Sequence, residues 1–453
     1  MSEKSPTKLV AEYIARAGAT SLPPEVALKS RLHLLDTLAA MIDGTKLRAG
    51  RQAIAFAVDN GGAPQAGIPG TNVATDAVTA AFAGAMSAHG DETDDSHLGG
   101  RFHPGCAVVP AALSVAQLRS ASGERFLRAI AAGYDVGARF TMALGFTDPR
   151  SGTHSTHCLG ANFGASASAG ALAGLDEAQC ESLLSYATQQ ASGLPYWERD
   201  SDHVEKAFDF GGMGARNGVF AALFVGGGAS GVSESLTGRH SYLAAFAENA
   251  RPEALSEGLG TRFEIMSASI KKWGVGSPIQ AVLDSTVSLL ETERLCAPDL
   301  LRVRVIMPDD RIEIVDGSEM PEVCVQHLVA LALADGGLSN SSIRDHARMN
   351  DDKVLAIRRL IELVPSRALT EARPARQAIV EIETLGGRKL AKRTRAVLGT
   401  PDNPMSEDQV ESKALDLISA RLGRAKAARL VTAVREIESL SDAGELRKLW
   451  QPG

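Results

Sequence analysis

The sequence predicts a mainly α-helical protein with a large all-helical domain, completed by C-terminal helices, and a smaller α+β domain. Ala-rich apolar stretches at helical spacing recur through the first 290 residues, where the alternation typical of strands is nearly absent. After Cys296, runs rich in β-branched residues appear, and helical patterns return beyond the break at 399–406. We therefore expect a helical domain formed by 1–267 and 405–453, and a smaller domain formed by 268–404.

The helical prediction rests on apolar periodicity. After Pro23 and Pro24, apolar residues recur at a spacing of three and four, and Gly44 ends the pattern. Similar stretches predict helices at 75–88, 106–119, 125–145, 162–174, 215–225 and 278–290. The uncharged segment 151–175 is too polar for a typical membrane span, so we interpret its small residues as points where helices approach closely.

The smaller domain is predicted from runs that resemble strands. These runs are LRVRVIMP, RIEIVDG, RQAIVEIETLGG and RKLAKRTRAVLG, the third ending in a Gly-Gly turn. Helical patterns at about 321–335 and 351–363 lie between them. Beyond the break, Ser406 and Gln409 have the spacing of a capping box, which predicts the start of another helix.

Composition excludes several classes of protein. The chain of 453 residues is 44% hydrophobic, 22% charged and carries a net charge of -7 without a long basic run, so we expect no nucleic-acid partner. The N-terminal segment lacks the apolar core of a signal peptide, and no membrane association is expected. Five scattered cysteines without a CxxC pair favour a reducing, cytoplasmic location.

Residues 89–106, HGDETDDSHLGGRFHPGC, crowd histidines and acidic side chains together. If this stretch were helical, Asp91, Asp94 and Asp95 would share a face and repel one another. Carboxylates beside a histidine raise its pKa and fix its tautomer, which suits a general base. Pro104 disfavours helical geometry for His103, so we expect His103 on a loop at a helix end. The stretch therefore indicates a site and not a solvated surface.

Five ordered segments resemble the MmgE/PrpD family, which includes 2-methylcitrate dehydratase, cis-aconitate decarboxylase and iminodisuccinate epimerase. They are GDETDDSHLGGRFHPGCAVVPAAL, GTHSTHCLGANFGASASAGALAGL, EKAFDFGGMGARNGVFAALFVGGGASG, SIKKWGVGSPIQAVLD and GTPDNPMSEDQVESKALDL. The resemblance spans nearly the full chain. It implies a large helical domain with a smaller α+β domain, a homodimer, and no metal or organic cofactor.

The resemblance also implies site residues. The catalytic candidates are His103, His154, Lys271, Asp94 and Lys206, and the substrate-binding candidates are Glu92, Ser96, Lys272, Gln280 and Asp91. Three alternatives stay open: His157 for His154, Lys272 for Lys271, and Asp91 for Glu92. Gln280 stands where many relatives have a histidine, and Gly276 where they have a cysteine. This departure bears on the substrate more than on the fold.

The sequence therefore predicts a cofactor-independent lyase for a small di- or tricarboxylate, with a dehydratase for a 2-methylcitrate-like substrate favoured. Histidine would remove a proton next to a carboxylate, and lysine would stabilise the enolate. Epimerisation and decarboxylation share that first step.

Two other classes are open. One is a Mg²⁺-dependent all-α enzyme with His89, Asp91, Asp95, His97 and His103 as ligands, although 5% aromatic residues are few for an isoprenoid pocket. The other is a helical binding protein without catalysis.

Overall fold

The computed structural model describes residues 4–146, 153–293 and 295–452, which divide into two compact units. The first, here the helical unit, comprises the described residues of Met1–Gly90, Asp94–Ser269 and Ser406–Gly453. The second, here the mixed unit, comprises those of Asp91–Thr93 and Ile270–Met405. The short piece Asp91–Thr93 thus groups with residues that lie far along the chain.

The helical unit forms where the apolar periodicity predicts it. Its helices before the mixed unit are α1 (Pro6–Ala17), α2 (Pro24–Gly44), α3 (Arg48–Asn60), α4 (Ala77–Ala88), α5 (Gly105–Arg119), α6 (Gly123–Ala143), α7 (Thr156–Ala173), α8 (Glu177–Gln189), α9 (Val204–Ala207), α10 (Met213–Gly226) and α11 (Tyr242–Phe246). A π-helical turn, Phe208–Gly212, joins α9 to α10. Two short antiparallel pairs are β1 (Ala66–Gly67) with β2 (Ala74–Thr75), and β3 (Ser96–His97) with β4 (Ala268–Ser269).

Small residues bring α6 and α7 into backbone contact. A Cβ atom added to Gly133 would lie 2.8 Å from the carbonyl oxygen of Gly164. One added to Gly137 would lie 2.7 Å from the carbonyl oxygen of Gly160. Such distances are shorter than van der Waals contact, so these positions admit only glycine without a shift of the backbone. The interpretation of this uncharged segment as a close helix contact is confirmed.

The mixed unit contains a four-stranded sheet with helices. Its elements are α12 (Gln280–Glu293), β5 (Leu300–Pro308), α13 (Ile312–Val315), α14 (Val325–Asp335), α15 (Asn340–Ile343), α16 (Asp352–Arg358), β6 (Ile361–Ser366), α17 (Arg367–Glu371), β7 (Ala378–Thr384) and β8 (Lys389–Thr394). The strand order is β6-β5-β7-β8, with β5 parallel to β6 and the other pairs antiparallel. Alternate residues of β7 are buried, as expected for a strand with one covered face.

Two predictions in the mixed unit were wrong. The run at 311–317 was expected to be a strand, but Ile312–Val315 forms the short helix α13. The helix expected at 351–363 ends at Arg358, and the strand β6 begins at Ile361. Both errors fall on short apolar runs, where periodicity alone does not separate strand from helix.

The C-terminal helices α18 (Glu407–Leu422), α19 (Arg424–Arg435) and α20 (Arg447–Trp450) belong to the helical unit. The predicted capping box is present, with the Gln409 backbone N–H donating to Ser406 Oγ at 3.3 Å. Lys413 of α18 pairs with Asp36 of α2 at 2.7 Å, and both side chains are almost fully buried. The predicted fold class is confirmed. Within the described residues, every helix is too short or too polar to cross a bilayer.

Candidate active site

His103 lies on the loop that leads into α5, as the sequence predicts. Pro104 follows it and Gly105 begins the helix. The His103 side chain is mostly buried, with 7% of the residue exposed. Its Nδ1 atom lies 3.2 Å from Asp94 Oδ1, so Nε2 is the ring nitrogen left to exchange a proton with a substrate.

Asp94 is shared by two histidines. Its Oδ2 atom lies 2.9 Å from His89 Nδ1, while its Oδ1 atom faces His103. Burial alone would raise the pKa of Asp94, but the charges and hydrogen bonds of His89 and His103 outweigh it and hold that pKa well below its usual range. Burial lowers the pKa of His89 to about 4, against the opposing effect of Asp94. At neutral pH, Asp94 is therefore a carboxylate that accepts a hydrogen bond from Nδ1 of a neutral His89.

Phe210 occupies the centre of the histidine cluster. Its ring stacks on that of His157 with centroids 3.6 Å apart and on that of His89 with centroids 4.4 Å apart. The His103 ring lies 5.1 Å away in a tilted arrangement. Phe210 belongs to the π-helical turn, a rare geometry that often occurs at functional sites. The π-helical turn thus supplies the Phe210 ring, an apolar surface against which these imidazole rings pack.

Lys206 brings a cation to the same cluster. Its Nζ atom lies 5.3 Å from the Phe210 ring centre and 5.6 Å from that of Trp197, within the range of cation–π attraction. The residue is 6% exposed. Its backbone N–H donates to Asp200 Oδ2 at 2.8 Å, which fixes the start of α9. A buried ammonium group beside a histidine pair is suited to hold a substrate carboxylate.

The structure separates the two histidine candidates of the GTHST segment. The His157 ring lies 5.5 Å from that of His103. His154 instead contacts the Phe246 ring at 4.8 Å, and its Nδ1 lies 3.0 Å from Thr153 Oγ1. His157 is thus brought into the cluster around His103, and His154 is placed beside α11. The assignment of His154 as a catalytic residue stays a prediction.

Within the mixed unit, Lys271 and Glu92 form a buried ion pair. Lys271 Nζ donates to Glu92 Oε2 at 3.0 Å and to the Glu92 carbonyl oxygen at 2.9 Å. Lys272 instead lies over the ring of Trp273, 4.4 Å from its centre. The two neighbouring lysines therefore have different surroundings, and Lys271 is the one placed against an acidic candidate.

The remaining binding candidates have structural partners. Asp91 pairs with Arg344 in the mixed unit. The Gln280 amide donates to the carbonyl oxygens of Trp273 and Val275, at 2.8 and 3.0 Å, and so holds the loop after Lys271. In the helical unit, Ser96 is buried on β3, opposite Ser269. Their roles in substrate binding stay predictions.

The ligand set of the metal hypothesis is divided among different partners. Asp95 accepts hydrogen bonds from residues outside that set, and His97 Nδ1 accepts the Gly100 backbone N–H at 2.8 Å. A different trio is compact: His89, Asp94 and His103 offer ligand atoms within 4.8 Å of one another. Two imidazoles and a carboxylate suit Zn²⁺ or a related ion, so this trio is the one that a metal test must address.

Asp209 is a buried carboxyl group next to Phe210, and its hydrogen bond from Ser155 Oγ connects the π-helical turn to the start of α7. Burial raises its pKa from 3.8 to about 7, although the Ser155 hydrogen bond opposes the rise. Because the folded pKa exceeds the unfolded one, the stability that Asp209 contributes is complete below about pH 4 and is lost as the pH rises through about 7.

We therefore expect Asp209→Asn to flatten the pH dependence of stability. The free energy of unfolding, measured by urea titration, should fall less between about pH 4 and 7 in the variant than in the wild type. Asp59→Asn, at an exposed position of α3, is the matched control and should follow the wild-type curve. Parallel curves for Asp209→Asn and the wild type would contradict the assignment.

Four residues of these clusters were not found from the sequence. They are Phe210, Trp197, His203 and Arg344. His203 directly precedes α9 and has a φ of 63°, and its ring lies 5.1 Å from that of His89. An aromatic or arginine residue within a helical pattern carries no periodic signal of its contacts, and a π-helical turn has no motif that marks it.

The fold and these clusters define a two-unit, mainly helical protein whose larger unit holds a buried histidine–carboxylate–lysine site. The chain belongs to the MmgE/PrpD family: residues 8–255 match the MmgE/PrpD N-terminal domain and residues 273–439 match the MmgE/PrpD C-terminal domain. A curated relative is the cis-aconitate decarboxylase-like protein oryM of Aspergillus oryzae. It is 23% identical over 480 residues, which cover 99% of this chain and 97% of the relative.

Proposed function

We propose that this protein is a cofactor-independent lyase that removes or adds a proton next to a carboxylate of a small di- or tricarboxylate. The observation that carries the proposal is the buried Asp94–His103 pair, 3.2 Å apart, in the cluster that also holds Lys206. Membership of the MmgE/PrpD family supports it. The favoured reaction is reversible dehydration of a 2-methylcitrate-like hydroxy acid.

In the proposed mechanism, each side chain of the cluster has a separate role. His103 Nε2 takes the proton next to the substrate carboxylate, while Asp94 holds Nδ1–H and stabilises the imidazolium. Lys206 stabilises the negative charge that develops on the carboxylate as the enolate forms. The enolate then expels hydroxide from the neighbouring carbon, and a proton converts it to water. His157, whose ring lies 5.5 Å from that of His103, is our candidate for the donor of that proton.

A second reaction is favoured by the relative. Its printed name describes a cis-aconitate decarboxylase-like protein. In a decarboxylation the bond to the carboxyl carbon breaks, CO₂ leaves, and the resulting carbanion takes a proton. In this proposal protonated His103 supplies that proton. The two reactions therefore share one acid–base group and differ in which bond breaks.

The test is a substrate screen in D₂O followed by NMR. Purified protein is incubated with citrate, 2-methylcitrate, cis-aconitate and aminated succinates. We expect deuterium next to a carboxylate of one substrate or its product. An alkene without carbon loss indicates dehydration, whereas a product one carbon shorter indicates decarboxylation. Folded protein that neither exchanges nor converts any of these compounds would contradict the proposal.

We expect activity to survive extensive dialysis against a chelator, because Asp94 serves His103 as a hydrogen-bond partner in this mechanism. The measurement is the turnover rate before and after dialysis, with metal content determined in parallel. Loss of activity that Zn²⁺, Mn²⁺ or Mg²⁺ restores would instead make His89, Asp94 and His103 a metal site.

The homodimer and the small-molecule carboxylate partner stay predictions of the resemblance. The role of Lys271 and Glu92 is likewise a proposal: a lysine held by a buried carboxylate is poised to exchange that partner for a substrate carboxylate.

A further inference from the structure

We propose that His33 and Tyr134 are positioning residues that act on His103 through Asp95; this inference rests on the proposed role of His103 as the acid–base group. His33 Nδ1 lies 2.6 Å from Asp95 Oδ2, and the Tyr134 hydroxyl lies 2.5 Å from the same oxygen. The other oxygen of Asp95 accepts the Gly105 backbone N–H at 2.9 Å. All three side chains are buried, on α2, on α6 and on the loop before β3.

Asp95 connects the two halves of the acid–base pair. It directly follows Asp94 along the chain, and it binds Gly105, two residues after His103. A displacement of this carboxylate therefore moves both partners of the 3.2 Å contact between Asp94 and His103. An error of about 1 Å in the placement of a catalytic group costs up to about 100-fold in rate.

The protonation states of the network fit this role. Burial raises the pKa of Asp95, but the hydrogen bonds from His33 and Tyr134 outweigh it and lower that pKa, so Asp95 is a carboxylate. Burial also lowers the pKa of His33, and within the described residues its Nε2 has no hydrogen-bond partner, which places the ring proton on Nδ1. The pKa of Tyr134 is raised well above its usual value, mainly by burial, so its hydroxyl remains a donor. Three donors thus hold one carboxylate.

A side chain at Gly105 would have no room within this network. A Cβ atom added to Gly105 would lie 2.5 Å from Thr37 Oγ1, 2.8 Å from Asp95 Oδ1 and 2.9 Å from the Tyr134 hydroxyl. Only glycine fits there without displacing its neighbours. The first residue of α5 is therefore packed closely against Asp95 and Tyr134 as well as hydrogen-bonded to Asp95, and His103 precedes it by two residues.

The test compares Tyr134→Phe with Tyr242→Phe. Both tyrosines are fully buried in the helical unit, and the Tyr242 hydroxyl donates to the Phe140 carbonyl oxygen, away from Asp95. We expect Tyr134→Phe to lower kcat about tenfold with KM within about twofold, and to shift the ring ¹⁵N resonances of His103. Tyr242→Phe should change the melting temperature without either effect. The His103 signals are assigned by their absence in His103→Gln.

A second pair of variants covers the case in which Tyr134→Phe does not fold. His33→Leu removes the donor to Asp95, whereas His33→Asn retains an amide N–H near the position of Nδ1. We expect His33→Leu to lower kcat and shift the His103 resonances, and His33→Asn to restore both in large part. Wild-type kcat and unchanged His103 resonances in Tyr134→Phe or His33→Leu would overturn the inference.

The resonances also separate this inference from the proposed function. If the wild type converts none of the carboxylates, the proposed function fails. The shift of the His103 signals in Tyr134→Phe, measured without substrate, then still decides whether Asp95 transmits the change.

Discussion

Replacement of His103 by alanine is expected to lower kcat by about 10²–10⁴-fold while the protein stays folded, because general acid–base catalysis typically contributes that much. The two ring nitrogens of His103 have different proposed roles. Nδ1 lies 3.2 Å from Asp94, so the loss of the ring removes the group that we propose to move the proton and leaves Lys206, the proposed binding cation, in place. A residue that acted only in ground-state binding would instead raise KM and leave kcat nearly unchanged.

Steady-state kinetics and deuterium exchange measure this effect together. In D₂O the exchange next to the substrate carboxylate should slow in parallel with kcat. His346→Ala, at an exposed histidine of the mixed unit, is the control and should keep wild-type kinetics. His154→Ala and His157→Ala, compared directly, decide which of the two acts with His103. Wild-type kcat in His103→Ala would refute its role, as would loss of the exchange in His154→Ala alone.

The second large effect concerns stability. Lys413→Ala is expected to lower the free energy of unfolding by about 3–5 kcal/mol at pH 8, because it leaves a buried carboxylate without its partner. Lys413 lies 2.7 Å from Asp36, which is 1% exposed. Burial raises the pKa of Asp36 to about 6 even though Lys413 opposes the rise, so the carboxyl group is ionised at pH 8.

The pH dependence has a definite sign. Since the folded pKa of Asp36 lies above the unfolded value of 3.8, its contribution to stability is present at low pH and lost as the pH rises through about 6. Removal of Lys413 raises the folded pKa further, so the variant should be closest to the wild type near pH 5. The double variant Lys413→Met, Asp36→Leu should recover much of the loss, because an apolar pair of similar volume needs no charge compensation. A loss below about 1 kcal/mol at pH 8 would contradict this account.

The sequence predicts the helical unit well and the sheet less well, for a physical reason. Long apolar stripes specify helices such as α6 over many residues, and local neighbours decide the outcome. The strand β6 depends on parallel pairing with β5, where Val303 aligns with Ile361, 58 positions further along the chain. Such pairing leaves no local signal, so the apolar run at 351–363 was predicted to be a single helix. The four residues of α13 are too few for a period to be recognised.

The residues of the candidate site also divide into those that the sequence predicts and those that only the structure reveals. His103 was predicted because the segment around it resembles the family's His-Pro motif and because neighbouring acids suit a histidine base, and the structure adds its 3.2 Å contact with Asp94. The surroundings of Lys271 and Lys272 could not be separated from sequence, because adjacent residues differ only in the direction of their side chains. His33 and Tyr134 lie on apolar helix faces, where a polar side chain is more often a satisfied core residue. Only the assembled helices bring them to Asp95.

The glycine contacts between α6 and α7 have a consequence for how new activities could arise in this scaffold. A single methyl group at Gly133 or Gly137 would lie less than 3 Å from a backbone oxygen. When these positions are randomised and folded variants are selected, we therefore expect almost only glycine to be recovered. Selection therefore cannot change the distance between α6 and α7 through substitutions at these two glycines. If the proposed function is right, we expect a change of substrate size to be accommodated by side chains around the cluster, such as Phe210 and Trp197, whose rings are in contact.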